Sequence, residues 1–182
     1  MGTTLHFARA QDLFDAYEAA GSDIRARPQG EAPLEFLERL AASATPEEAI
    51  TFAAYLLPRR KAVWWGHECV VSLDHLLGED DRRMLHLAEI WVAEPEEDNR
   101  RRALDEALAC AHKSPGVWIA LAAGWSGGSM ADAGSPAVPP PAFLTPRAVN
   151  AGILGALARV DNSFRSKTLS TFVGMGASLA AR

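Results

Sequence analysis

Gly124-Trp125-Ser126-Gly127-Gly128 fits G-x-S-x-G, the elbow that exposes a nucleophilic serine between a strand and a helix. The apolar run before it, Val117–Ala123, would serve as the strand. Such a serine needs a base, and in that arrangement the histidine follows it in the chain. The last histidine here is His112, and the alternating strands of such a fold are absent. A flexible turn in a Gly-rich loop is the favoured reading, with a catalytic Ser126 as the alternative. His67-x-Cys69 and Cys110-x-His112 offer ligand types that suit zinc. Residues two apart on a helix diverge, so one ion would need one ligand from each pair. Buried thiols beside helix-end or surface histidines explain the same residues, and no metal or cofactor is assigned. His86 and Glu89 share a helical face and Asp74-His75 are adjacent. Either pair suits acid–base work only with a pocket and an orienting group, and a solvent-facing salt link accounts for His86 and Glu89. No phosphate loop, dinucleotide fingerprint or kinase signature is present. The catalytic alternative is therefore a small hydrolase or toxin-like enzyme using Ser126 or a His/Glu pair.

The binding chemistry is sharper. Arg59, Arg60 and Lys61 run into Trp64 and Trp65 at the start of a long apolar helix. Cations near a helix N-terminus oppose its dipole by a few tenths of a kcal/mol each. Something must hold them: either a partner, or internal carboxylates such as Glu94, Glu96 or Asp98. Trp64 and Trp65 point about 100° apart. If one stays uncovered, it sits beside arginines, as binding hot spots do. Pro136 and Pro139-Pro140-Pro141 predict polyproline II. That run suits a partner with an aromatic groove, but the favoured path lies across the chain's own tryptophans toward Thr145.

Helical periodicity positions nearly all of this, and strand alternation is almost absent. The pattern predicts helices over about 8–20, 33–43, 45–57, 59–77, 79–93, 95–112, 117–123, 146–160 and 164–180. Thr45-Pro46-Glu47-Glu48 reads as a start signal, with Thr45 capping and Glu48 closing the box. Thr145-Pro146 reads as a second cap. Glu96-Glu97-Asp98 suit a first turn, and His112 and Lys113 suit the C-terminal end of that helix. Ala148, Ala151, Gly152, Gly155 and Ala156 would let a neighbouring helix approach closely. The expected fold is one all-α domain over residues 1–182, a compact bundle of about eight short antiparallel helices or a short solenoid. Its loops are 24–31 and a long Gly/Pro-rich segment, 124–144.

The totals set bounds. A chain of 182 residues, 48% hydrophobic and 23% charged, has the size and composition of a globular domain. Its net charge of −5 argues against a nucleic-acid partner. Cys69 and Cys110 make no disulfide framework. No stretch approaches the roughly 18 apolar residues of a membrane span, and the start of the chain lacks the pattern of a signal peptide. A cytoplasmic protein is expected.

Leu57-Pro58-Arg59-Arg60-x-Ala62-Val63-Trp64-Trp65, Trp125-Ser126-Gly127-Gly128-Ser129, Val138-Pro139-Pro140-Pro141 and Leu144-Thr145-x-x-Ala148-Val149 follow in that order. Together they resemble an uncharacterised family of small helical proteobacterial proteins associated with type VI secretion gene neighbourhoods. The resemblance runs from about Thr45 onward, and the first forty residues add nothing to it. It brings no catalytic residues. It implies a cytoplasmic accessory, an adaptor or chaperone handling a secretion effector or spike component. The expectation is a non-enzymatic protein-binding module. Arg59, Arg60, Trp64 and Trp65 would anchor the partner, while Trp125, Ser126 and Pro139–Pro141 shape the rim. An immunity-type inhibitor presenting the acidic cluster Glu94–Asp98 to a basic effector is a further alternative.

Overall fold

A computed structural model describes residues 7–131 and 134–182. Among these residues there are ten α-helices, one 3-10 turn and no strand. The segment expected as one helix over 8–20 forms two, α1 (Ala10–Ala16) and α2 (Glu18–Asp23). The break is at Tyr17, which leaves the helical region at φ −125°, ψ 89°. The bend lets its ring meet Tyr55 at 5.3 Å, while Phe14 packs on Phe36 and Phe52. Gly21 is helical, so the first loop begins at Ile24.

Next come α3 (Pro33–Ala41) and α4 (Glu47–Leu56). Pro33 opens α3, where it forfeits no helical hydrogen bond. The expected capping box of α4 does not form. Pro46 is its N-cap, with no side-chain cap bond. Glu48 is buried and accepts instead from the backbone N–H groups of Arg25 and Ala26, at 3.1 and 3.2 Å. Those loop amides need an acceptor, and an unmet buried N–H costs about as much as a lost hydrogen bond.

The remaining helices are α5 (Arg59–Val71), α6 (Glu79–Ala93), α7 (Glu97–Ala109), α8 (Pro115–Gly124), α9 (Leu144–Leu157) and α10 (Asn162–Ala180). Helix α5 ends at Val71, short of the expected Leu77, and a 3-10 turn at Asp74–Leu76 completes the path. Helix α7 ends at Ala109, short of His112. Lys113 nevertheless does what its position suggests: its ammonium donates to the carbonyls of Ala107, Leu108 and Cys110 at 2.6–3.2 Å. Thr145 is not a cap. Helix α9 starts one residue earlier, and the Thr145 hydroxyl reaches back to Ala122 O at 3.4 Å.

Helix α8 is the axis of the bundle. It is apolar all round, as a fully covered helix must be, and it packs against α5, α6, α7 and α9. Ile119 enters a notch made by Gly66 on α5 and Gly152 on α9. A Cβ at either glycine would lie 2.7 Å from Ile119 Cδ1. The small residues of α9 thus do admit a neighbour. Helix α10 closes over α3, α4 and α5, far from it in sequence. In a solenoid each unit meets only its neighbours, so this is a bundle.

One buried carboxylate locks three helix ends. Asp81, 2% exposed, accepts from Gly78 N at 3.3 Å, Gly116 N at 2.8 Å and Arg159 Nη1 at 2.8 Å. It therefore satisfies the starts of α6 and α8 and holds the end of α9. Burial pushes this carboxyl up. The Ser114 hydroxyl, the Arg159 guanidinium and the amides of Gly116 and Gly78 outweigh that and hold it below the ordinary aspartate value.

Candidate protein-binding site

The first turn of α5 contains no acidic residue, and its three cations lean away from their own helix. Arg59 Nη1 donates to Ser126 O at 2.8 Å, just past the end of α8. Arg60 donates to Val92 O and Ala93 O, at 2.7 and 3.2 Å, in the last turn of α6. Lys61 Nζ donates to Leu179 O at 3.3 Å, in the last turn of α10. Each cation thus meets the carbonyls and the partial negative charge of another helix's C-terminus. That is why basic residues sit where their own helix disfavours them. The anticipated pairing with Glu94, Glu96 or Asp98 does not form; among the described residues the partners of Arg59 and Arg60 are carbonyls.

The adjacent tryptophans separate. Trp65 is 0% exposed, lies over Gly176 and donates its indole N–H to Phe172 O at 2.9 Å. It is core and offers no surface to a partner, contrary to the anchoring role expected for it. Trp64 is half-buried and stacks on His67, with ring centroids 5.2 Å apart and planes 11° from parallel. His67 is itself buried and pairs with Glu68 at 3.0 Å. Trp64 forms one wall of an open groove of about 440 Å³ between α5 and α10, lined also by Glu68, Gly174, Met175, Ser178, Leu179 and Arg182. Residues 175, 179 and 182 were not singled out from the sequence. Their 4- and 3-residue spacing was a legible signal of one helical face.

The Gly/Pro loop is a built structure. Arg100, 3% exposed, is clamped by both oxygens of Glu97 and donates to Gly124 O and Ser129 O. The same guanidinium holds the Glu97 carboxyl below its usual range. Gly128 has φ +62°, and a Cβ there would fall 2.6 Å from Arg100 Nε. That close approach is the reason for glycine at this point of the G-x-S-x-G match. Arg101 adds a hydrogen bond to Ala131 O, and the Ser129 hydroxyl accepts from Ala131 N and Val138 N. Trp125 is half-buried against the core. Pro139 and Pro141 face solvent, while Pro140 is half-buried. Pro141 O accepts from Leu144 N at 3.0 Å and starts α9. Arg59 joins the loop's first turn to α5. The geometry thus brings together Arg59, Arg60, Trp64 and Ser126 at one pole, and sets Pro139–Pro141 apart at the entry to α9.

Ser126 Oγ donates to Ala123 O at 2.6 Å, a local bond at the end of α8. His86 and Glu89 lie 3.4 Å apart on the outside of α6, 69% and 54% exposed. Cys69 is buried, which pushes its thiol well up, and Cys110 lies beyond the end of α7. Among the described residues no three His, Cys, Asp or Glu side chains gather as a metal site. None of their helices is long and apolar enough to cross a membrane. What the pole can do is grip: a half-open indole and thioether floor, with cations at its edge.

No curated protein and no solved structure matches this chain. The sequence pattern of DUF6931, a family of unknown function, matches residues 36–180, from the middle of α3 to the end of α10, and the chain belongs to that family.

Proposed function

We propose that this protein is a non-catalytic accessory that binds another protein through the Trp64 groove. The observation that carries this reading is the half-buried indole of Trp64, braced by His67 and set in an open groove beside Met175 and Leu179. A rigid aromatic in a partly apolar depression is the usual form of a binding anchor. The catalytic candidates are otherwise engaged: Ser126 spends its proton on Ala123 O, and the His86–Glu89 pair faces open water. The resemblance to proteins of type VI secretion neighbourhoods supplies the setting, a bacterial cytoplasmic adaptor or chaperone with an effector or spike component as cargo.

Photocrosslinking in the native host tests this. A benzophenone amino acid is placed at Ser178, on the groove, and separately at Leu108, exposed on α7. Crosslinks from position 178 to one secretion component, absent at position 108 and abolished by Trp64→Glu, are the expected result. Identical products from both positions, or none from position 178, overturn the groove as the binding surface.

A further inference from the structure

We infer that the Trp64 groove takes an acidic peptide segment carrying an apolar anchor. This deepens the reading above and rests on it. The argument comes from how cations are spent across the molecule. Arg39, Arg82, Arg100, Arg147, Arg159 and Arg165 each hold a carboxylate within 3.2 Å. At the Trp64 pole the pattern changes. Arg59, Arg60 and Lys61 hold only carbonyl oxygens. Arg182, exposed on the groove, makes no ion pair or hydrogen bond among the described residues.

A carbonyl orients a cation without cancelling its charge. Four positive charges therefore converge here with no carboxylate in salt-bridge contact, on a chain whose net charge is −5. Donors remain too. Lys61 uses one of its three ammonium hydrogens, and Arg60 has a free Nη1. Glu68, at the opposite end of the groove from Lys61, is already engaged by His67. The field is thus polarised along α5, positive toward its start. Between the charges lie Trp64, Met175 and Leu179, an apolar floor that a bare phosphate or nucleic-acid backbone would leave uncovered. The fitting ligand is a protein segment whose leucine or aromatic side chain lies on Trp64 and Met175. Its aspartates or glutamates reach Lys61, Arg60 and Arg182. Charge complementarity of this kind sets partner choice and on-rate and makes binding sensitive to salt.

The test is selection from a random phage-displayed 12-residue peptide library on the immobilised full chain, followed by affinities of synthetic selected peptides. The variants are Trp64→Ala and the double variant Lys61→Gln/Arg182→Gln, each shown to be folded by circular dichroism. The inference expects selected peptides rich in Asp and Glu around one large apolar residue. Their affinity falls about tenfold in the double variant and by a similar factor between low and high salt. Peptides that need Trp64 but carry no acidic bias, or bind the double variant equally well, overturn the acidic-ligand inference and leave the groove reading standing. Peptides whose binding ignores Trp64→Ala overturn both, as does a selection that yields no binder. A single-stranded oligonucleotide that displaces the peptides and binds more tightly assigns the charge to nucleic acid and overturns the inference.

Discussion

Trp64 and Trp65 differ by one position and by their whole surroundings. Trp65→Ala removes a fully buried indole and its bond to Phe172 O, and is expected to cost about 3–5 kcal/mol. Trp64→Ala takes away a half-exposed ring and should cost about 1 kcal/mol. Urea denaturation of both variants checks this, and equal losses would make Trp64 a core residue. The sequence announces that two neighbouring tryptophans must diverge. Which of them is covered depends on Phe172, 107 residues away, and no local pattern carries that. Asp81 was similarly hidden. Nothing about one aspartate in an acidic helix start reveals that Gly116 and Arg159 converge on it. Asp81→Ala is expected to destabilise by about 3 kcal/mol, because it strands the Arg159 guanidinium and two helix-start amides. The folded carboxyl is held below its ordinary 3.8. Its contribution is thus fully present above that value and is lost as pH falls through the depressed folded value. The stability gap between wild type and Asp81→Asn should therefore close in strong acid, as unfolding curves across the acid range will show.

At the level of elements, helix positions were legible and helix ends were not. Apolar spacing places α3 through α10 within a few residues. Ends are decided by where spare hydrogen bonds go, and here they cross between elements. Glu48 leaves its own helix start for the 24–31 loop, and Thr145 leaves α9 for the end of α8. The long loop shows the same division. Its glycines and prolines declare a loop, but not that Arg100 would thread beneath Gly128 and hold it. Gly128→Ala is expected to cost about 1–3 kcal/mol, since it combines a positive φ with a collision against the guanidinium. Arg100→Ala should raise amide exchange in the Ser126–Val138 stretch and leave α3 and α4 protected. Hydrogen-exchange mass spectrometry separates these regions. Uniform deprotection would mean that Arg100 supports the bundle rather than the loop.

For the molecule as a whole, the core is a single connected cluster organised about α8. Circular dichroism and tryptophan fluorescence should therefore report one coincident unfolding transition. Gly152→Val should lower its midpoint by about 1–3 kcal/mol of overpacking, because the new side chain meets Ile119 and the Pro115 carbonyl together. Net charge, read from composition, misleads at this scale. It averages an acidic body with a pole where cations face carbonyls, and only the folded arrangement separates the two. The placement of α8 also bears on how the protein is made. Ten of its residues, apolar on every side, leave the ribosome before α9 exists to cover them. The Trp65 indole has no acceptor until Phe172 has been synthesised. For that interval the nascent chain displays the axis of its own core, so it should be bound by trigger-type chaperones during translation and released only once α10 has emerged.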